Sequence, residues 1–229
     1  VAWRTKRKNH RLVIVVPLET LTIPTVLIRT GGGIIARSGS TWPEAAKRSM
    51  AYPFFTIGHA TRPIGEFIDL LQAAQVALVA DVRTVPRSRA NPQYNSDALP
   101  PSLAACSIGY EHIASLGGLR SRKRQVSREL NAFWQNDSFH NYADYAMSEA
   151  FRAGLAHLRD LGRERRCAIM CAETLWWRCH RRIITDYLLA AGETVFHILG
   201  RGEVTSAAMN QAARIQPSGD LTYPADSTE

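Results

Sequence analysis

From residue 53 to residue 199, short apolar runs alternate with segments of helical periodicity, and this alternation restricts the chain to a narrow set of folds. Residues 54–57 (FFTI), 76–82 (VALVADV), 110–113, 167–170 (CAIM) and 194–199 have the length and apolar character of buried strands. Between them, Ile64, Phe67, Ile68 and Leu71 recur at three- and four-residue intervals. The same spacing is seen for Phe151, Leu155 and Leu158 before Gly162, and for Ile184, Tyr187, Leu188 and Ala191 before Gly192. Residues 97–106 are expected to form a helix weakened by Pro100-Pro101. The stretch through Gly117-Gly118 to Phe139 reads as a long irregular loop, and no element is assigned after Gly200. Strands alternating with helices predict an α/β fold: a mostly parallel sheet with helices on both faces. At 229 residues, one domain over 53–224 is the expectation, preceded by a flexible extension over 1–52 and followed by a tail at 225–229.

Charge divides the chain at the same boundary. The formal net charge is +8, but residues 1–50 hold nine Lys/Arg against Glu19 and Glu44, and the remaining 19 basic and 18 acidic residues nearly cancel. A basic start followed by an apolar patch is the outline of an export signal, yet Glu19 and prolines interrupt that patch and no clean cleavage pattern follows. No apolar run approaches the ~20 residues that span a bilayer, so no membrane partner is expected. Cys106, Cys167, Cys171 and Cys179 lack the dense spacing of a secreted disulfide scaffold, which points to a reducing, cytoplasmic setting.

Parallel strands would deliver their carboxyl ends to one edge of the sheet, where open α/β folds bind ligands. His59, Asp81, Arg83, His112, Cys171, Glu173 and His197 all fall at or just past expected strand ends. For His112 and His197, capping of the sheet is the plainer role. For Asp81 beside Arg83, an ion pair that pins the loop is as natural as a catalytic one. The run CAIMCAETLWWRCHRR, residues 167–182, concentrates the chemistry: a strand, a loop and a helix, with Cys171 expected at the strand end and Cys179-His180-Arg181 in the first turn of the helix.

Five blocks in register, TIGHATRP, LVADVRTVPRSRANPQYN, LGGLR, NYADYAMSEAF and IMCAETLWWRCHRR, resemble the bacterial and archaeal family known as domain of unknown function 488. The resemblance spans about 54–200 and implies a single α/β domain without naming an activity. The positions that recur in the family correspond here to Gly58, His59, Asp81, Arg83, Pro86, Asn91, Pro92, Asn95, Gly117, Gly118, Tyr142, Tyr145, Cys171, Glu173, Cys179, His180 and Arg181. Ala60 stands where members often carry Ser, and Tyr94 where Phe is common; neither change removes a titratable group.

Three functions fit these residues. The first is an enzyme with a reactive cysteine. In it Cys171 or Cys179 is activated by His180 and Arg181, and Glu173, His59 and Asp81 complete the catalytic set. Arg83, Arg87, Asn91, Asn95 and Arg181 then hold an anionic substrate. The strand, Cys loop and helix share only their outline with rhodanese-type sulfur transferases and Cys phosphatases, because the compact Cys-x5-Arg loop is missing. The second is metal binding by Cys171, Cys179 and His180, with His59 as a further candidate, although Cys-x7-Cys-His is not a usual zinc spacing and no metal or cofactor is named by the sequence. The third is a non-catalytic nucleotide or nucleic-acid binder that stacks bases on Trp176-Trp177, against which stands a nearly neutral body. The partner class common to the first and third is an anionic small molecule or a nucleic acid.

Overall fold

The computed structural model describes residues 52–225; the extension expected over 1–52 falls, but for its last residue, outside them. The elements run β1 (Phe54–Gly58), α1 (Ile64–Ala73), β2 (Leu78–Asp81), α2 (Leu99–Ala104), β3 (Gly109–His112), α3 (Asp137–Ala146), α4 (Glu149–Glu164), β4 (Cys167–Cys171), α5 (Arg181–Ala190) and β5 (Val195–Gly200). The short strands β6 (Glu203–Ser206), β7 (Arg214–Ile215) and β8 (Leu221–Thr222) follow. The main sheet has the order β3-β2-β4-β1-β5-β6, parallel except for β6, which returns antiparallel along β5. Among the described residues, no helix is long and apolar enough to cross a membrane.

Both faces of this sheet are buried, and the strand alternation sorts side chains between two cores. Phe55, Ile57, Val79, Met170 and Ile198 face one way, where Phe67 and Leu71 of α1 and Leu99 and Leu103 of α2 cover them. Phe54, Leu78, Ala80 and Ile169 face the other way, under Tyr142 of α3, Phe151 of α4 and Ile183 of α5. The expected architecture, helices on both faces of a mostly parallel sheet, is what forms.

Several local expectations change. The stretch read as irregular up to Phe139 ends inside α3, a helix not expected from the sequence, which starts where the Asn136 side chain accepts the Ser138 N–H at 2.9 Å. Its contacts with the preceding loop are polar: the Tyr142 hydroxyl donates to the Leu116 carbonyl at 2.8 Å, and the Tyr145 hydroxyl to the Ser115 carbonyl at 2.7 Å. Pro100 and Pro101 occupy the first turn of α2, where the N–H groups they lack have no intrahelical partner in any case. The fold also continues past Gly200. There β7 and β8 pair, and Tyr223, fully buried, donates from its hydroxyl to Asp186 of α5 at 3.0 Å.

The topology creates a crevice. The chain leaves β1 and β2 toward α1 and α2 on one face, but leaves β4 toward α5 on the other, and β4 lies between β2 and β1. Connections diverging from adjacent strands cannot fill the space between them, so a gap opens above the carboxyl ends of β1, β4 and β2.

Phe151 has no exposed surface and meets Tyr142, Tyr145 and Tyr187 edge-on, so it joins α3 and α5 through α4. Phe151→Ala should cost about 3–5 kcal/mol in urea denaturation; a loss below about 1 kcal/mol would show that this face is not sealed as described.

Candidate functional site

The crevice is built by strands that continue to pair beyond their regular ends. The His59 N–H donates to the Cys171 carbonyl at 3.0 Å, the Ala60 N–H to the Ala172 carbonyl at 2.9 Å, and the Val82 N–H to the Met170 carbonyl at 3.0 Å. The β1 and β2 loops are thereby fixed against the end of β4. Gly58 permits the approach, since a Cβ there would overlap the backbone at Glu173 and Thr174. The resulting cleft holds about 600 Å³, in the range of small-molecule sites, and Cys171, Glu173, Cys179 and His180 line it opposite Arg83 and Asn91.

At its floor, two sulfurs converge on one imidazole. Cys179 Sγ lies 3.5 Å and Cys171 Sγ 4.0 Å from His180 Nδ1. His180 Nε2 lies 2.9 Å from the Val82 carbonyl oxygen; a carbonyl only accepts, so Nε2 carries a proton and Nδ1 is the nitrogen turned to the sulfurs. A Cβ on Gly118 would meet Nδ1, Cγ and Cε1 together, so this glycine packs on the ring face, while Tyr142 approaches the ring at a steep angle.

Cys179 is not in the first turn of α5, as its place in the sequence suggested. It is extended (φ −130°, ψ 150°), and His180 stands between it and the first helical residue, Arg181. Its support comes instead from side chains. Arg181, 1% exposed, donates from Nε to Cys179 Sγ at 3.3 Å and from Nη2 to the Glu173 carbonyl. Burial alone would raise the Cys179 thiol, but the hydrogen bond from Cys171, His180 and Arg181 outweigh it and hold Cys179 well below the ordinary thiol range. Cys171 is driven upward, first as the donor of that hydrogen bond and then by burial. One sulfur thus carries the charge and the other keeps its proton. Cys167, buried with no such neighbours, is pushed up to about 12.

Arg83 is held from four directions. Its Nε lies 2.9 Å from Asp81 Oδ1, and its Nη2 lies 2.6 Å from Asp81 Oδ2 and 2.7 Å from the Tyr94 carbonyl. Its Nη1 reaches His59 Nε2 at 3.3 Å. Asp81 is fully buried behind it and also accepts the Tyr110 hydroxyl at 2.8 Å. His59 donates from Nδ1 to the Ala60 carbonyl at 2.9 Å and stacks on Tyr94, and burial lowers it to about 4. It is neutral at neutral pH with both nitrogens engaged, a support for Arg83 rather than a free base.

The structure gathers His59, Arg83, Arg87, Asn91, Cys171, Glu173, Cys179 and His180 around one cleft, with Asp81 and Arg181 directly behind it. Asn95 stands apart: its Oδ1 accepts the Ser88 N–H at 2.6 Å and shapes the loop. His112 donates from Nε2 to the Arg83 carbonyl at 2.8 Å, which also shapes a loop. His197 lies within β5 rather than at its end, 2.7 Å from Thr56 Oγ1 and stacked on one face of Trp176. Arg178 and Gly118 are among the cleft residues that the sequence did not single out as site residues. Gly118 was legible as a recurrent position, whereas nothing in WWRCHRR distinguishes the arginine that faces the cleft from the one that is buried.

Fold and site together define a doubly wound α/β protein with a thiol–imidazole cluster at its topological switch point. The chain belongs to the family described as Domain of unknown function DUF488, whose model matches residues 63–188, from the start of α1 through most of α5. No curated protein and no solved structure matches the chain.

The buried histidines make a pH prediction. His59 and His197 are both lowered from 6.5 to about 4 by burial, so each favours folding above its unfolded value and loses that contribution as pH falls from 6.5 toward 4. Asp186, raised by burial to about 6, acts in the opposite sense between 6 and 3.8. The fall in Tm from pH 7 to pH 5 should therefore be smaller for His197→Gln than for the unaltered protein. Equal falls would mean that His197 does not resist protonation.

Proposed function

We propose that the chain is an enzyme whose reacting centre is the Cys171–Cys179–His180 cluster and whose substrate carries an anionic group. The observation that carries this reading is the buried Arg181 Nε–H directed at Cys179 Sγ, 3.3 Å away, at the floor of an open cleft. A cysteine buried among apolar groups is inert, whereas a thiolate beside a guanidinium is available for nucleophilic attack or for coordination. Cys167, four residues before Cys171 on the same strand, provides the inert comparison within the molecule.

The substrate class follows from unbalanced charge. Arg87 and Arg178 line the cleft, are exposed, and have no carboxylate within ion-pair distance among the described residues, while Glu173 is the one acid in the lining. Arginine presents a planar fork suited to phosphate or carboxylate. The exposed side chains of Val85 and Leu119 line the same cleft and offer apolar contact beside that charge, which suits an anion attached to a larger organic group. Glu173 accepts the Leu175 N–H through Oε1 at 3.1 Å, which orients its carboxylate for acid–base work.

Iodoacetamide at neutral pH, with a chelator present, should label Cys179 about tenfold or more faster than Cys167, as resolved by peptide mass spectrometry. Inorganic pyrophosphate should slow that labelling, and the double variant Arg87→Ala/Arg178→Ala should abolish this protection. Equal, slow labelling of Cys167, Cys171 and Cys179 would remove the reacting-centre reading; fast labelling that pyrophosphate does not affect would remove the anionic-substrate reading.

A further inference from the structure

The hydrogen-bonding capacity of the cluster does not match its geometry. Cys171 Sγ, Cys179 Sγ and His180 Nδ1 lie within 4.8 Å of one another, three electron-pair donors turned toward one point with too few protons among them to pair them all. A single cation at the centre of the three atoms would satisfy all of them. A tetrahedral zinc ion bonded to sulfur at about 2.3 Å and to nitrogen at about 2.0–2.1 Å sets sulfur and nitrogen about 3.5 Å apart. The observed separations are 3.5 Å and 4.0 Å, within about half an ångström of that value.

The surroundings resemble those of a metal centre. His180 donates its other ring N–H to a backbone carbonyl, the arrangement that fixes the tautomer and orientation of a ligating imidazole. Cys179 Sγ accepts from Arg181 Nε, and a sulfur can accept such a bond while it coordinates. Two thiolates and one imidazole form a soft-to-borderline donor set that selects zinc-type ions over magnesium or calcium. No other group of three His, Cys, Asp or Glu side chains converges in this way among the described residues.

A fourth protein ligand is missing. His59, the candidate from the sequence, has Nε2 turned to Arg83 and Nδ1 turned to the Ala60 carbonyl. Structural zinc sites close their coordination with four protein ligands, whereas catalytic ones keep three and leave one position for water or substrate. We infer that Cys171, Cys179 and His180 form a three-ligand site for a divalent transition-metal ion of the zinc type, with its fourth position open to the cleft. This rests on the reading of the cluster as the reacting centre and names what that centre holds. An ion there adds a Lewis acid to the positive wall formed by Arg83, Arg87 and Arg178, where an anionic oxygen would enter.

The test uses the full chain, stripped with a chelator, dialysed and titrated with cobalt(II) as a spectroscopic stand-in for zinc. One ion should bind per chain, with the visible bands of tetrahedral cobalt and a thiolate-to-cobalt charge-transfer band. Cys171→Ser and His180→Gln should each lower affinity by at least about 100-fold, beyond the 10- to 100-fold effect of losing an outer partner, while Cys106→Ser should change nothing. In the unaltered protein, which avoids any folding defect of a variant, zinc should block alkylation of Cys171 and Cys179 together. Absence of stoichiometric binding, an octahedral spectrum, or binding that survives Cys171→Ser would overturn the inference. If Cys179 still labelled rapidly in that case, the proposed function would stand and the metal site alone would fall.

Discussion

The hydrogen bond from His180 Nε2 to the Val82 carbonyl, 2.9 Å long, joins residues 98 positions apart and determines the arrangement of the site. Val82 lies just past the end of β2, and His180 immediately before α5; the bond therefore closes the crevice floor from the β2 side. It leaves the imidazole with one unassigned nitrogen. The ring face is taken by Gly118 and a neighbouring approach by Tyr142, so Nδ1 is what remains, and it points at the two sulfurs. The Gly118 loop is in turn tied to α3 by the hydroxyls of Tyr142 and Tyr145, and Arg120 stacks over the Tyr145 ring while bonding the Gly117 carbonyl at 2.8 Å. Helix α3, whose first turn reaches the cleft through Ser138 and Phe139, thus also controls how closely the glycine loop packs on the histidine.

Electrostatics in the cleft separates fixed charge from available charge. Arg83 and Asp81 form a buried pair, an arrangement that adds little net stability but holds a cation at a defined place. Arg181 is also buried and spends its donors on Cys179 and the Glu173 carbonyl. Arg87 and Arg178, exposed at the cleft, remain free to meet a ligand. The interior cations act on the sulfur, and the outer ones leave the cleft mouth with a positive charge.

The parts of this design legible in the sequence are those encoded by period and apolarity. The runs FFTI, VALVADV and CAIM and residues 194–199 were recognisable as strands because both sheet faces are buried, so the strands read as continuous apolar runs. From the parallel order alone, the gathering of His59, Arg83, Cys171 and Glu173 at one edge followed. Helix α3 was hidden because DSFHNYADYA carries no Leu, Ile or Val; its buried face is made of tyrosines and alanines, and the tyrosine hydroxyls also bond the preceding loop. The hairpin of β7 and β8 was hidden by its length, two residues a strand. Cys179 was placed in the first turn of the helix, although it precedes the first helical residue by two, because the WWR segment forms a 3₁₀ turn that consumes residues before α5 starts. Arg181 was read as a ligand contact and Arg178 was not. Arg178 lines the cleft and Arg181 is buried behind it, because which of two arginines faces a cleft depends on the exit angle of the loop rather than on residue type.

The most direct test of this account is the protonation pattern of the His180 ring, read by ¹⁵N NMR on histidine-labelled full-length protein in the presence of a chelator. The account predicts a covalent proton on Nε2, slowed in exchange by its bond to the Val82 carbonyl, with the Nδ1 signal sensitive to Cys179→Ser. A bare Nε2 with the proton on Nδ1 would contradict it, because the lone pair would then face the β2 carbonyl and neither sulfur could share it.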